Sequence, residues 1–81
     1  MTLNVLFFAQ AREHAGCAST VLDLPAGSSA RDALDAIVAR HPALAPLRGS
    51  VALALDGVLA RGDEAIREGS ELALLPPVSG G

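Results

Sequence analysis

The chain contains no lysine, tryptophan or tyrosine, one cysteine at position 17, and two aromatic residues, Phe7 and Phe8. Each shortage excludes something. A single cysteine cannot close an intramolecular disulfide, and His14 and His41 stand too far apart and too isolated to make a zinc site, so no metal is expected. Stability must therefore come from packing, in a chain of 81 residues that has room for one small domain. No apolar run approaches the roughly 20 residues that cross a bilayer, and the amino terminus lacks the charged-then-apolar layout of a signal peptide. The cytoplasm is the expected compartment, with no membrane partner. Nine acidic residues against six basic ones give a net charge of −3, which leaves no electrostatic reason to bind nucleic acid. All six bases are arginine, so the α-amino group is the one ordinary primary amine.

What is present is apolar. Of 41 apolar residues 16 are alanine and 13 leucine, too many for a disordered chain. Residues Leu3 to Ala9 alternate, with Leu3, Val5, Phe7 and Ala9 on one face and Asn4, Leu6 and Phe8 on the other, which predicts a first strand. Gln10 to Cys17 is polar and alanine-rich and reads as a loop with at most one helical turn, ending at Gly16. Ser19 to Leu24 resumes period two before Pro25-Ala26-Gly27 stops it. Ser29 and Asp32 have the spacing of a helix cap, and Ala30, Ala33, Leu34, Ile37 and Val38 then form one stripe until Pro42 ends the helix. On the opposite face Arg31 and Asp35 are spaced to pair. Val51 to Leu55 predicts a third strand, Asp56-Gly57 a tight turn, Val58 to Ala60 a short fourth strand, and Glu71 to Leu75 the last, with Ile66 anchoring the polar loop between them. The order of elements predicts an α+β fold: a mixed sheet of four to five strands with one main helix packed across it, the plan of the ubiquitin-like β-grasp. The domain is expected to span residues 1–77, with a flexible tail over 78–81.

The conventional catalytic inventory is poor. Cys17 is a lone thiol with no base or helix start evident beside it, His14 and His41 have no carboxylate or nucleophile at a telling spacing, and Asp63-Glu64 reads as a solvated loop. No phosphate-binding loop of the GxxxxGK[ST] kind and no GxGxxG fingerprint is present, so no cofactor is expected on this chain. The informative feature is the carboxyl end. Pro76-Pro77 ends the last strand and aims the exit, Val78 and Ser79 come next, and Gly80-Gly81 closes the chain. Four residues beyond the prolines reach about 13–14 Å when extended. Two residues without side chains pass through a narrow channel that others would block, so the terminal carboxylate is suited to delivery into another protein's site. A carboxylate is a poor electrophile until adenylation makes one of its oxygens part of a good leaving group. A sulfur nucleophile then gives a thiocarboxylate, an amine nucleophile an amide. Lacking lysine, the chain cannot build lysine-linked chains of itself, which favours the first.

The segments Val5-Leu6-Phe7-Phe8-Ala9-Gln10-Ala11-Arg12-Glu13, Gly16, Leu24-Pro25 and Leu74-Leu75-Pro76-Pro77-Val78-Ser79-Gly80-Gly81 together resemble the small-subunit family of molybdopterin synthase. The resemblance spans essentially the whole chain, and its specificity lies in the two ends. It implies the β-grasp fold. It also implies that Gly81 carries a thiocarboxylate made with ATP by an adenylating enzyme, from a sulfur donor such as a cysteine desulfurase or rhodanese system. The large catalytic subunit would take that sulfur for precursor Z, a cyclic pyranopterin, within a heterotetramer. In this family an acidic Gly-Asp-Glu turn often precedes the last strand; here that place reads Glu68-Gly69-Ser70-Glu71, with Gly62-Asp63-Glu64 earlier.

The strand faces also predict a docking surface. If Val5 and Phe7 face the helix, Leu6 and Phe8 face away from it, and parallel pairing with the last strand brings Leu75 beside them, with Leu59 extending the patch. The resemblance implies that this patch meets both the large subunit and the activating enzyme in turn. Three other readings share parts of this pattern: a sulfur carrier for thiamine or cysteine synthesis, a ubiquitin-like modifier of target lysines, and a binding module whose tail does nothing.

Overall fold

The computed structural model describes residues 1–77. The apolar alternation at the amino end forms β1 (Thr2–Phe7), whose Leu3, Val5 and Phe7 are buried while Asn4 is exposed. The strand stops two residues sooner than the alternation predicts. Phe8 is extended, and Ala9 then turns the chain with φ 50, a left-handed conformation that costs a non-glycine residue on the order of 1 kcal/mol. The next segment is a helix rather than a loop: α1 spans Ala9–Ala15, buries Ala11, and ends at Gly16 with φ 77, where the glycine N–H donates to the Arg12 carbonyl. Only Ala11 and Ala15 face inward, too small an apolar signature to show a helical period in the sequence.

After β2 (Ser19–Asp23) the chain crosses to the main helix, α2 (Ala30–Arg40). Its start is a complete capping box: the Ser29 hydroxyl accepts from the Asp32 N–H at 3.2 Å and the Asp32 carboxylate accepts from the Ser29 N–H at 2.9 Å. The next two orphan amides also find partners, Ala30 donating to the Glu64 carbonyl at 2.9 Å and Arg31 to the Gly62 carbonyl at 2.8 Å. A 3-10 turn over Pro42–Leu47 buries Leu44 and leads into β3 (Ala52–Leu55). Asp56 and Gly57 both take positive φ, 51 and 84, as a type I′ turn requires, and return the chain as β4 (Val58–Ala60). The last strand, β5 (Ser70–Leu75), enters the middle of the sheet.

The strand order is β2-β1-β5-β3-β4, with β1 and β5 parallel and every other pair antiparallel. The α+β class and the β-grasp plan expected from the element order are those of the folded chain. One side of the sheet carries the core, where Leu3, Val5, Phe7, Leu53, Leu72 and Leu74 meet Ala30, Ala33, Leu34 and Ile37 of α2. Ile66 is buried with them, as expected of the loop anchor. Glu68 and Gly69 tie the entrance of β5 to the start of β1: the Glu68 carboxylate accepts from the Thr2 N–H, and the Gly69 N–H donates to the Thr2 carbonyl at 2.8 Å. Gly69 supplies the turn with φ 78.

Candidate functional site

The side of the sheet away from α2 carries no covering element among the described residues. Strand register places its residues in rows. Leu6 lies opposite Ala73, Ala73 opposite Ala54, and Ala54 opposite Leu59. In the next row Leu75 lies opposite Ala52, and Phe8 stands beside Leu75, because Phe7 pairs with Leu74 and the Phe8 N–H continues the ladder to the Leu74 carbonyl at 3.1 Å. The four residues expected to form a patch, Leu6, Phe8, Leu59 and Leu75, therefore share one face. Phe8 is 44% exposed and Leu59 62%, whereas Leu6 and Leu75 are half-buried.

Sequence reasoning missed the floor of this surface. Ala52, Ala54 and Ala73 lie between the larger side chains and are half-buried, so the face is a shallow apolar trough with Leu6 and Phe8 on one side and Leu59 on the other. The signal was available in the alternation of Ala52 and Ala54 with Leu53 and Leu55, and of Ala73 with Leu72 and Leu74.

The two phenylalanines divide between the faces. Phe7 is 2% exposed and meets the His41 ring edge-on, with centroids 5.5 Å apart. Phe8, one residue on, points to the trough, and the left-handed turn at Ala9 removes the chain beyond it from the sheet. His41 is thereby a half-buried packing partner, and His14 lies exposed with its Nδ1 2.8 Å from the Gln10 carbonyl oxygen. Cys17 is half-buried against the core. Among the described residues no three His, Cys, Asp or Glu side chains gather as metal ligands, and no helix is long and apolar enough to cross a membrane.

Pro76 and Pro77 come directly after β5 and are exposed. They leave the sheet at the end where Phe8 and Leu75 lie, because β1 and β5 run in the same direction. Val78, Ser79, Gly80 and Gly81, to which the tail chemistry was assigned, lie outside the described residues.

The acidic loop is organised rather than merely solvated. Glu64 accepts from the backbone N–H groups of Arg61 and Gly62, both at 2.7 Å, and these hydrogen bonds, first that of Arg61, hold its carboxyl below the ordinary value of 4.5. Asp63 is exposed. The loop's carbonyls in turn hold the first amides of α2, so Glu64 has a structural role.

Known proteins match this chain over nearly its whole length. The family model described as the ThiS family matches residues 5–81. The molybdopterin synthase sulfur carrier subunit of Arabidopsis thaliana is 38% identical over 79 residues, covering 98% of this chain and 82% of that protein. The crystal structure of the small archaeal modifier protein 1 of Haloferax volcanii superposes with a TM-score of 0.87 at 34% identity, covering 95% of this chain and 98% of that one. A complex of subunits 1 and 2 of the molybdopterin-converting factor from Helicobacter pylori contains a chain that matches with a TM-score of 0.72 at 26% identity over all of both chains. With the sheet order, the parallel central pair and the apolar outer face, these likenesses place the protein: it belongs to the ThiS family of ubiquitin-like sulfur carriers.

Proposed function

We propose that this protein is the sulfur-carrier subunit of a molybdopterin synthase. A partner enzyme transfers AMP from ATP to the Gly81 carboxylate and releases pyrophosphate. The terminal sulfur of a donor persulfide then attacks the acyl carbon and AMP leaves, giving an acyl disulfide. A second thiol of the donor system attacks the donor sulfur, forming a disulfide with it and releasing the thiocarboxylate on Gly81. Docked on the large subunit, the tail presents that sulfur to precursor Z. This chain supplies the sulfur atom and its delivery; the site of transfer is in the large subunit. Gly80 gives clearance in a narrow channel, Val78 and Ser79 line the entry, and Pro76 and Pro77 aim the tail.

The observation that carries the reading is the coincidence of the exposed trough with the tail's root. Leu6, Phe8 and Leu75 lie at the end of the β1/β5 pair from which Pro76 departs, and Leu59 flanks them across an alanine floor. An apolar face of this kind, with an aromatic residue at its margin, suits a protein partner. The chain paired with subunit 2 in the Helicobacter pylori complex has the same fold and supports a large subunit as that partner. The same surface serves the adenylating enzyme, so the two bind in turn.

A second reading, a ubiquitin-like modifier, is favoured by the likeness to the Haloferax volcanii modifier protein. One experiment separates them. The protein is incubated with ATP, the adenylating enzyme and a sulfur donor, and its intact mass is measured with fragmentation at the carboxyl end. The expected result is replacement of one oxygen by sulfur, localised to Gly81. An unchanged mass in the presence of an active enzyme overturns the carrier reading, and covalent adducts on lysines of other proteins establish the modifier.

A further inference from the structure

The sheet ends at β4, a three-residue edge strand with no neighbour on its outer side among the described residues. Between this edge and α2 opens a concavity of about 350 Å³, lined by Arg31, Arg48 and Arg61 around the apolar side chains of Leu34, Val51 and Leu59. Half of the six arginines of an acidic chain thus surround one hollow. Their carboxylate partners are few. Arg31 and Asp35 are spaced to pair along α2, but Asp35 pairs instead with Arg48, the one ion pair among the described residues. Glu64 directs both carboxylate oxygens to the amides of Arg61 and Gly62. The guanidinium groups of Arg31 and Arg61 are left without a carboxylate within 4.0 Å among the described residues.

The place of Arg31 is built into the backbone. A Cβ at position 62 would lie 2.9 Å from its Nη2 and 3.3 Å from its Cζ and Nε, so the guanidinium rests where a side chain would otherwise stand. Gly62 has φ 127, an angle open in practice to glycine alone, and its carbonyl accepts the Arg31 N–H. The loop thus accepts the backbone N–H of Arg31 and lies against its guanidinium, which borders a hollow with an apolar floor.

The hollow is continuous with the outer face, since Ala52 and Leu59 belong to both. We propose that it is a socket for an acidic segment with apolar flanks, contributed by the large subunit that docks on the trough. This inference rests on the docking reading of the trough. The carboxylates of the segment pair with Arg31 and Arg61, its apolar side chains cover Leu59 and Val51, and β4 is enclosed at the margin of the interface. The trough supplies apolar area, and the socket fixes the orientation of the carrier about the tail axis. A charge-reading element of this kind acts on specificity and encounter rate as well as on affinity.

The test is calorimetric titration of the full-length protein into the large subunit of the same organism at several salt concentrations. The substitutions are Arg31→Ala with Arg61→Ala together, and Phe8→Asp separately. The double variant is expected to bind about tenfold more weakly and to show a flatter dependence of log Kd on log salt, because two ionic contacts are gone. Phe8→Asp is expected to weaken binding with the salt dependence of the arginine contacts retained. Unaltered affinity and salt slope in the double variant, with Phe8→Asp still weakening binding, overturn the socket and leave the docking reading standing. Unaltered affinity in both variants overturns both. The urea midpoint of each variant is measured alongside, and a weakening confined to a variant that is partly unfolded counts against the socket.

Discussion

Phenylalanines at the end of β1 and just beyond it point to opposite faces of the sheet, which allows stability and docking to be separated by one residue. Phe8 retains 44% of its surface in solvent. An aromatic side chain buries ~200 Å² when covered completely, so a partner seated on the trough removes about 90 Å² more of it from water. At about 25 cal/mol per Å² that is about 2 kcal/mol, or roughly thirtyfold in Kd. Phe8→Ala should therefore weaken binding to the large subunit by about that factor while the domain still unfolds in one cooperative transition. Phe7, 2% exposed and packed on His41, belongs to the core. Phe7→Leu should cost about 1 kcal/mol of stability, lowering Tm by about 4–8 °C, and leave affinity unchanged at a temperature where the variant is folded. Titration calorimetry and thermal unfolding of the two variants measure both quantities. Wild-type affinity in Phe8→Ala, or equal weakening by both substitutions, would refute the division of faces on which the docking reading depends.

Two further outcomes concern the supports of α2. Ser29→Ala removes the hydroxyl that accepts the Asp32 N–H and should lower the unfolding free energy by about 1 kcal/mol in urea titration, whereas an unchanged midpoint would mean that the loop carbonyls at Gly62 and Glu64 suffice. Glu64 is held below its ordinary value of 4.5 by the Arg61 and Gly62 amides, so its contribution is present in full above that value and is lost as pH falls through the lower folded-state value; Glu64→Gln should lack this component of acid destabilisation, and identical pH profiles for variant and wild type would exclude it.

The sequence showed most clearly those features whose signal is local. The helix cap at Ser29, the Asp56-Gly57 turn and the strand faces each depend on residues within a few positions of one another, and each is found where the pattern placed it. Helix α1 escaped because two inward alanines make no visible stripe, and the early end of β1 escaped because the alternation runs on through Ala9, which turns instead. The Asp35 partner escaped for another reason: spacing favoured Arg31, but Arg48 arrives from beyond the 3-10 turn, a tertiary approach that no helical periodicity contains. The socket is invisible in sequence on the same ground, since residues 31, 48 and 61 meet only when β4 lies beside α2. The apolar outer face was legible because the parallel pairing of first and last strands, once assumed, fixes Leu6, Phe8 and Leu75 in adjacent rows.

That pairing also bears on how a tail of four residues can act on a distant reaction. The β1/β5 pair is the centre of the sheet and the most heavily buried part of the core, with Leu3, Val5, Leu72 and Leu74 almost wholly enclosed. Leu6 and Leu75 of the trough and the root of the tail are therefore carried by strands whose other face is enclosed in the core, and Pro76-Pro77 prolong that direction without a free N–H to divert it. On the proposed reading, a partner that grips the trough fixes the origin of the tail, and the remaining four residues must reach a site within about 13–14 Å of it. Delivery becomes an intramolecular event whose effective concentration is set by a short, aimed tether. The same arrangement forbids simultaneous occupation, because one trough cannot hold the adenylating enzyme and the large subunit together. Loading and donation must then be separated by dissociation, so affinity for the trough is useful only while release remains faster than the turnover that waits on it. A face floored by alanines, with one half-exposed phenylalanine and one exposed leucine at its margins, is apolar enough to be recognised and small enough to be released.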